Sequence, residues 1–508
     1  MTYLEAVTRQ RRVILNYDAV AGLMPWLDGE ELVTSMFGSA DLPNSPIDSV
    51  FWNWGEGNYS LYKSKHTPSY NFGRFAKWVD EGWDIIGLCH EGAKARGLES
   101  FFSYRINGND ADPVSPGKHI AQIPPFKQEH PEWLIHGGTF NRKSPPYNFA
   151  IKEVREHKLD IIAEALDRYD FDGVEIDFAR VCPVLPPGQQ WELRWAITEF
   201  MAGVRDICNE EARHHKKPVL VAARVPETLE GCHFDGLDVE QWIESLSVDI
   251  LTLGCRSFEV DYRAFHDLTA HANNPVRCYP CIDDIHATDG YRNPPMEVFR
   301  GVFANWRRQG FTGVQTFNFQ NSNPMVERID PEYLKNHPMV GKLTISEWLQ
   351  SQWDLHCRVY QELQVGDTFL DDDKVTFVIQ RRGGGHSPHL NSFPWDWNTP
   401  RWLYCNTNME GQLPALLYAN PLRDVILKMY VSKIGMAEIR VELSRPEEIE
   451  VRVNNILAHP VDVKRKKSHR WMIPKARLAL GENLIGISLR KKKWYSRTTI
   501  EKVEIEVL

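Results

Sequence analysis

Asp172-Gly-Val-Glu-Ile-Asp-Phe-Ala-Arg180 decides how this chain is read. Asp172-Gly173 is turn chemistry, and the residues after it alternate. Successive strand side chains point to opposite faces, so Val174, Ile176 and Phe178 share one face and Glu175 and Asp177 the other. The apolar face is suited to packing against helices. The other face carries two carboxylates, which are costly to bury without partners or purpose. That is the pattern of a barrel strand whose acids point inward, with Asp177 nearer the C-terminal end, where barrel active sites are built.

Working outward, helical spacing precedes this strand at 150–169 and follows it at 191–214. Further strands are expected at 12–18, 47–54, 99–106, 218–223, 248–253, 276–282 and 312–319. Helices are expected at 73–97, 238–246, 261–271 and 295–309. Eight apolar strands alternating with amphipathic helices, in an α/β chain, favour a closed (β/α)8 TIM barrel over an open doubly wound sheet. No G-x-G-x-x-G or P-loop is present, which weakens nucleotide and dinucleotide readings.

A helix at 344–361 ends this pattern. Beyond it, period-2 runs at 375–380, 424–432, 437–443, 448–455, 483–490 and 499–508 predict an antiparallel, jelly-roll-like β-sandwich. The expected organisation is therefore a barrel over 1–343, a linking helix over 344–364 and a sandwich over 365–508. Charge follows the same division. Residues 451–508 hold 14 Lys+Arg against 5 Asp+Glu, while the whole 508-residue chain has a net charge of −9. An acidic body with a basic end does not read as a nucleic-acid-binding protein. No run of 18 apolar residues predicts a membrane span, and residues 1–13 lack the apolar core of a secretory leader. Localisation is left open between the cytoplasm and a trimmed secreted or periplasmic protein. The nine cysteines include Cys278-x-x-Cys281 without a second pair, so free buried thiols are expected and no metal site.

Strand ends then name the candidate site. Glycoside hydrolysis needs two carboxylates flanking one bond. Asp177 or Glu175 supplies one, and Asp283 or Asp284, at the end of the seventh strand, the other. Asp110 and Glu259 are rival carboxylates. Among 17 tryptophans, Trp52 and Trp54 end the second strand and, with Tyr104, are expected to stack on sugar rings. Trp78, Trp83, Trp242 and Trp306 fall on helices and are expected to pack. Arg105, Asn107, Arg180, Arg224 and Asn318 are expected polar contacts, the arginines either meeting an anionic sugar or neutralising the barrel carboxylates. His119, His286 and Arg256 are lesser candidates.

Three segments carry a resemblance. FKQEHPEWLIHGG (126–138), NFAIKEVREH (148–157) and RYDFDGVEIDFAR (168–180) look like bacterial glycosyl-hydrolase-like TIM-barrel proteins of the family-ten-like group, and SFFSYRINGND (100–110) is similar to that group's third strand. The resemblance implies a barrel acting on glycans over residues 10–325. Ala179 stands where the chitinase-type D-G-x-D-x-D-x-E motif has its last Glu, which argues against that mechanism. Glu450-Val-Arg-Val-Asn-Asn455 and Leu478-Ala-Leu-Gly-Glu-Asn-Leu484 resemble galactose-binding-type jelly rolls. The expected function is a glycoside hydrolase with a poly- or oligosaccharide substrate and no cofactor. The basic sandwich would hold polyanionic glycan, or pack on the barrel or on a second copy in a homo-oligomer. The alternatives are a non-catalytic glycan-binding barrel and a metal-dependent lyase or hydrolase using Glu175, Asp177, Asp283 and His286. A carboxylate pair within about 10 Å at an open mouth favours hydrolysis. A carboxylate sealed in the interior opposes it.

Overall fold

The computed structural model describes residues 1–18, 29–53, 58–69, 78–107, 123–135, 145–179, 184–254, 260–270, 272, 275–283, 296–317, 319, 345–364, 375–378, 418–419, 425–431, 434–462, 466–490 and 498–508. Strands β1 (Val13–Asp18), β2 (Ile47–Asn53), β3 (Glu99–Arg105), β4 (Gly173–Asp177), β5 (Leu220–Val225), β6 (Ile250–Leu253), β7 (Arg277–Asp283) and β8 (Val314–Phe317) pair in order and close into a barrel, β8 returning to β1. Every pairing in it is parallel. The eight expected strands are all present, with ends shifted by one or two residues.

The helices are α1 (Tyr3–Thr8), α2 (Gly29–Met36), α3 (Ile85–Ala95), α4 (Pro125–Glu129), α5 (Lys152–Arg168), α6 (Arg194–His215), α7 (Leu229–Asp235), α8 (Val239–Glu244), α9 (Tyr262–Ala270), α10 (Met296–Arg308) and α11 (Ile345–Gln364). The helix expected over 73–97 is interrupted: residues 78–80 are helical, Gly82 turns the chain at φ +82, and a new helix begins at Ile85, capped by Asp84, which accepts the Gly87 N–H at 3.0 Å. Helices α1, α2 and α7 have 6, 8 and 7 residues, too short to show a period, and are absent from the sequence reading. Helix α11 packs on the barrel: Tyr360 Oη meets Thr316 Oγ1 at 3.0 Å, and Arg300 of α10 pairs with Glu362 at 2.6 Å.

Strand parity divides the core. Outward residues such as Val50, Trp52, Val174, Ile176, Val221 and Leu251 merge with the helices into one large cluster. Inward residues Ile14, Phe51, Phe101, Leu220, Ala222, Ile250 and Tyr279 form a second, joined from below by Ala6 and Val7 of α1. Helix α1 therefore closes the N-terminal floor of the barrel. Beside it, the Arg11 guanidinium donates to both oxygens of Glu99 at 2.6 Å and to the Ala6 and Val7 carbonyls, and Ser49 adds a third donor to Glu99. Gly173 opens β4 because a Cβ there would stand 2.3 Å from the Phe101 ring and 2.5 Å from the Leu220 carbonyl.

The C-terminal region forms two antiparallel sheets. One runs β10 (Tyr418–Ala419), β18 (Thr498–Val507), β12 (Ala437–Glu447), β16 (Lys466–Ile473), β15 (His459–Asp462), with β9 (Val375–Val378) also on β18. The other runs β11 (Val425–Val431), β17 (Gly481–Leu489), β13 (Ile449–Val453), β14 (Ile456–Leu457). Their alternate residues share one core, including Ile439 and Val441, Val451 and Val453, Trp471, Ile487 and Ile505. This is the β-sandwich that the period-2 pattern predicts. Strands β15 and β16 lie in 459–473, between the period-2 runs expected at 448–455 and 483–490.

Candidate functional site

The upper half of the barrel interior is polar, and β4 organises it. Glu175 and Asp177 both point inward and both are fully buried. Glu175 accepts four hydrogen bonds, from Asn16 Nδ2 on β1 at 3.1 Å, Ser103 Oγ on β3 at 2.5 Å, Thr252 Oγ1 on β6 at 2.7 Å and Gln315 Nε2 on β8 at 2.9 Å. Two donors on each oxygen come close to filling a carboxylate's accepting capacity. Glu175 thus ties four strands together inside the barrel and is removed as acid, base or nucleophile. The sequence expectation of an arginine partner for it is also corrected, since all four donors are neutral side chains.

The arginines go to Asp177 instead. Arg105, Asp177 and Arg224 are register partners on β3, β4 and β5, so one rung of the sheet carries all three. Arg224 Nε donates to Asp177 Oδ1 at 3.0 Å, Arg224 Nη2 donates to Oδ2, and Arg105 Nε lies 3.6 Å from Oδ2. Arg105 and Arg224 are both fully buried, and both guanidiniums lie over the Phe317 ring, 6.0 and 4.4 Å from its centroid. Guanidinium donors thus reach both oxygens of the Asp177 carboxylate. Arg105 and Arg224 neutralise a barrel carboxylate, so they no longer argue for an anionic sugar. The metal-dependent alternative loses its ligand set for the same reason, with Glu175 engaged by four donors and Asp177 by arginine.

Trp52 and Tyr104 are corrected as sugar platforms. Both have outward parity and are buried against the helices. Trp52 packs on Tyr17 and Phe37 at 5.6 Å each and donates to Ser100 Oγ at 3.0 Å. Tyr104 Oη receives the buried Lys158 ammonium at 3.3 Å. Trp78, Trp242 and Trp306 are helical and buried, while Trp83 packs on the core from the turn before α3 rather than from a helix. Asn107 is also buried, and its Oδ1 accepts the Tyr147 N–H at 3.0 Å, fastening the segment that returns to α5. Its expected sugar contact is replaced by that tether.

Asp283 is the last residue of β7. Trp54, Asp110, Arg180, Glu259, Asp284 and Asn318, with Arg256, His119 and His286, lie outside the described residues. Cys278 and Cys281 are both buried, and their opposite parity sends one towards the helices and the other into the barrel.

Sequence reasoning missed three residues at this end. Glu227, fully buried, follows β5 by two residues. Gly254, just past β6 at φ +75, leaves it room: a Cβ there would come 2.4 Å from Glu227 Cγ. Trp191 and Trp195 stand at the start of α6, which follows β4 and therefore begins at the C-terminal rim, and they are 40% and 51% exposed. Arg194 lies 4.5 Å over Trp191, the His233 ring sits tilted against it at 4.3 Å, and Arg155 lies 5.3 Å over Trp195. The signals available were the position of Glu227 at a strand end and the polar residues around W-E-L-R-W.

No protein-family model and no curated protein matches the chain. Several solved structures are similar to it. The maltogenic alpha-amylase AmyB of Thermotoga neapolitana matches at 12% identity over 96% of this chain and 100% of that one, with a TM-score of 0.39. The PgaB glycoside hydrolase domain of Bordetella bronchiseptica matches at 13% identity over 68% of this chain and 98% of that one, at 0.41. An alpha-amylase of Geobacillus thermoleovorans matches at 8% identity over 97% and 100%, at 0.39. Likenesses at this level carry no residue-level argument. The barrel rests on its own strand pairing.

Proposed function

We propose that this chain is a glycoside hydrolase whose chemistry takes place at the C-terminal mouth of the barrel. The observation that supports this best is the rung Arg105–Asp177–Arg224, a carboxylate on the last residue of β4 held from both neighbouring strands. A rigidly oriented, charge-balanced carboxylate suits the nucleophile or the stabiliser of an oxocarbenium-like transition state. The proton donor comes from Asp283 or Asp284 at the end of β7, with Glu227 beside β5 as its rival. Trp191 and Trp195 offer exposed aromatic faces at the rim for sugar rings. No cofactor enters this chemistry, and the substrate is a poly- or oligosaccharide. The division at 343 and 365, with the sandwich as an accessory module, belongs to the same proposal, as do the family-ten-like and galactose-binding-type resemblances.

The full burial of Asp177 favours a second reading, a glycan-binding barrel without catalysis. One panel separates the two. Wild type, Asp177→Asn, Asp283→Asn, Asp284→Asn and Glu227→Gln are assayed for reducing ends released from neutral and anionic polysaccharides. Hydrolysis by wild type that falls in Asp177→Asn and in one acid variant supports the enzyme. Equal rates in wild type and Asp177→Asn remove Asp177 from the mechanism. Saturable glycan binding with no release by any form supports the binding protein.

A further inference from the structure

Among the described residues, two groups of side chains bring three metal-ligating atoms within 4.8 Å of one another, His90, Glu91 and Asp170 in one and Glu211, His214 and His215 in the other. The first is saturated by the protein itself. His90 Nδ1 meets Ser100 Oγ at 3.1 Å and Nε2 meets Asp170 Oδ1 at 2.6 Å, while Lys94 Nζ lies 3.0 and 3.3 Å from the two Asp170 oxygens. Two lysines, Lys94 and Lys217, face Asp170 and would repel a cation.

The second group differs in each respect. Glu211, His214 and His215 occupy positions i, i+3 and i+4 on the last turn of α6, which places them on one helix face. Glu211 Oε2 lies 3.3 Å from His215 Nε2 and 3.7 Å from His214 Nδ1. Glu211 Oε2 and His215 Nε2 are both below the surface, and neither has a hydrogen-bond partner among the described residues. Two neighbouring cations point elsewhere: Arg213 Nε donates to the Asn209 carbonyl at 3.2 Å, and Lys217 pairs with Asp172 at 3.2 Å. The negative end of the α6 dipole favours a cation here.

We propose that Glu211, His214 and His215 form a zinc-binding site at the C-terminal end of α6. With zinc–ligand bonds of about 2.1 Å, the 3.3 and 3.7 Å separations subtend angles of about 104° and about 124° at the ion, close to tetrahedral. Two imidazoles and one carboxylate suit zinc and leave its fourth position to water or an outside ligand. Cys208, one turn earlier, is fully buried in the core, and its sulfur is not among the ligating atoms that converge here. Helix α6 runs from the rim to the N-terminal end of β5, so the site lies at the floor end, away from the mouth.

The test uses the full chain stripped with a chelator and titrated calorimetrically with zinc alone. Wild type is expected to bind one zinc that His214→Ala, His215→Ala and their double variant bind at least tenfold more weakly. His214 has a side chain 67% exposed, so its replacement leaves packing intact, and circular dichroism checks that each variant folds. Binding that wild type and the double variant share equally overturns the site, as does the absence of saturable binding up to about 1 mM.

Discussion

The barrel buries an arginine–carboxylate arrangement at each end, and the two are built differently. At the floor, Arg11 meets Glu99 with two 2.6 Å contacts, spends its remaining donors on backbone carbonyls of α1 and is covered by that helix. At the mouth, Asp177 is shared by Arg105 and Arg224, and an aromatic ring lies against both guanidiniums. The same side-chain chemistry serves closure at one end and, under the proposed function, an organised reaction surface at the other. In barrels, the floor reads as stability and the mouth as function.

Stability and activity measurements can break this contrast. Glu99→Ala leaves Arg11 buried and unpaired and should cost about 3–5 kcal/mol in urea unfolding, with the activity per folded molecule unchanged. Asp177→Asn should lower turnover by about 10²–10⁴ at temperatures where the variant is folded. A variant that loses stability as Glu99→Ala does and keeps its turnover would make the two ends equivalent. Glu175→Gln puts an amide N–H against a donor in a full hydrogen-bond shell, and should cost about 1–3 kcal/mol with KM unchanged.

The tryptophans sharpen the contrast further. Trp52→Phe should lose on the order of 2 kcal/mol of stability and no sugar affinity, whereas Trp195→Ala should raise KM roughly threefold to tenfold at constant Tm. The smallest effect concerns pH at the rim. His157 packs against Phe126, Trp133 and Tyr147 in the segment after β3. Burial, and then the Lys158 ammonium, hold it down at about 3 against its ordinary 6.5. The unfolded chain therefore binds the extra proton between those values, so stability is intact above 6.5 and declines as pH falls towards 3. His157→Gln should flatten that decline in a series of thermal melts, and an unchanged slope would exclude His157 as its source.

What the sequence revealed follows from how far each signal reaches. Strand parity in 172–180 is local, and it correctly placed Glu175 and Asp177 on the inner face. The same parity, applied to 47–53, sends Trp52 outward; its strand-end position had suggested the mouth, but position along a strand does not determine which face a side chain occupies. Four donors for Glu175 and two arginines for Asp177 come from strands far apart in the chain, and no local pattern announces them. Glu227 depends on the space left by Gly254, a fact of packing between two loops.

The four donors of Glu175 lie 159, 72, 77 and 140 residues away in sequence. Ser103, its register partner, reaches it once β3 and β4 pair, but Asn16, Thr252 and Gln315 arrive only with β1, β6 and β8, so a half-formed sheet buries a carboxylate with most of its partners missing. Such long-range contacts form slowly and reward only the finished topology. Glu175 therefore acts as a checkpoint in assembly, raising the free energy of open half-barrels relative to the closed ring and making closure an all-or-none event.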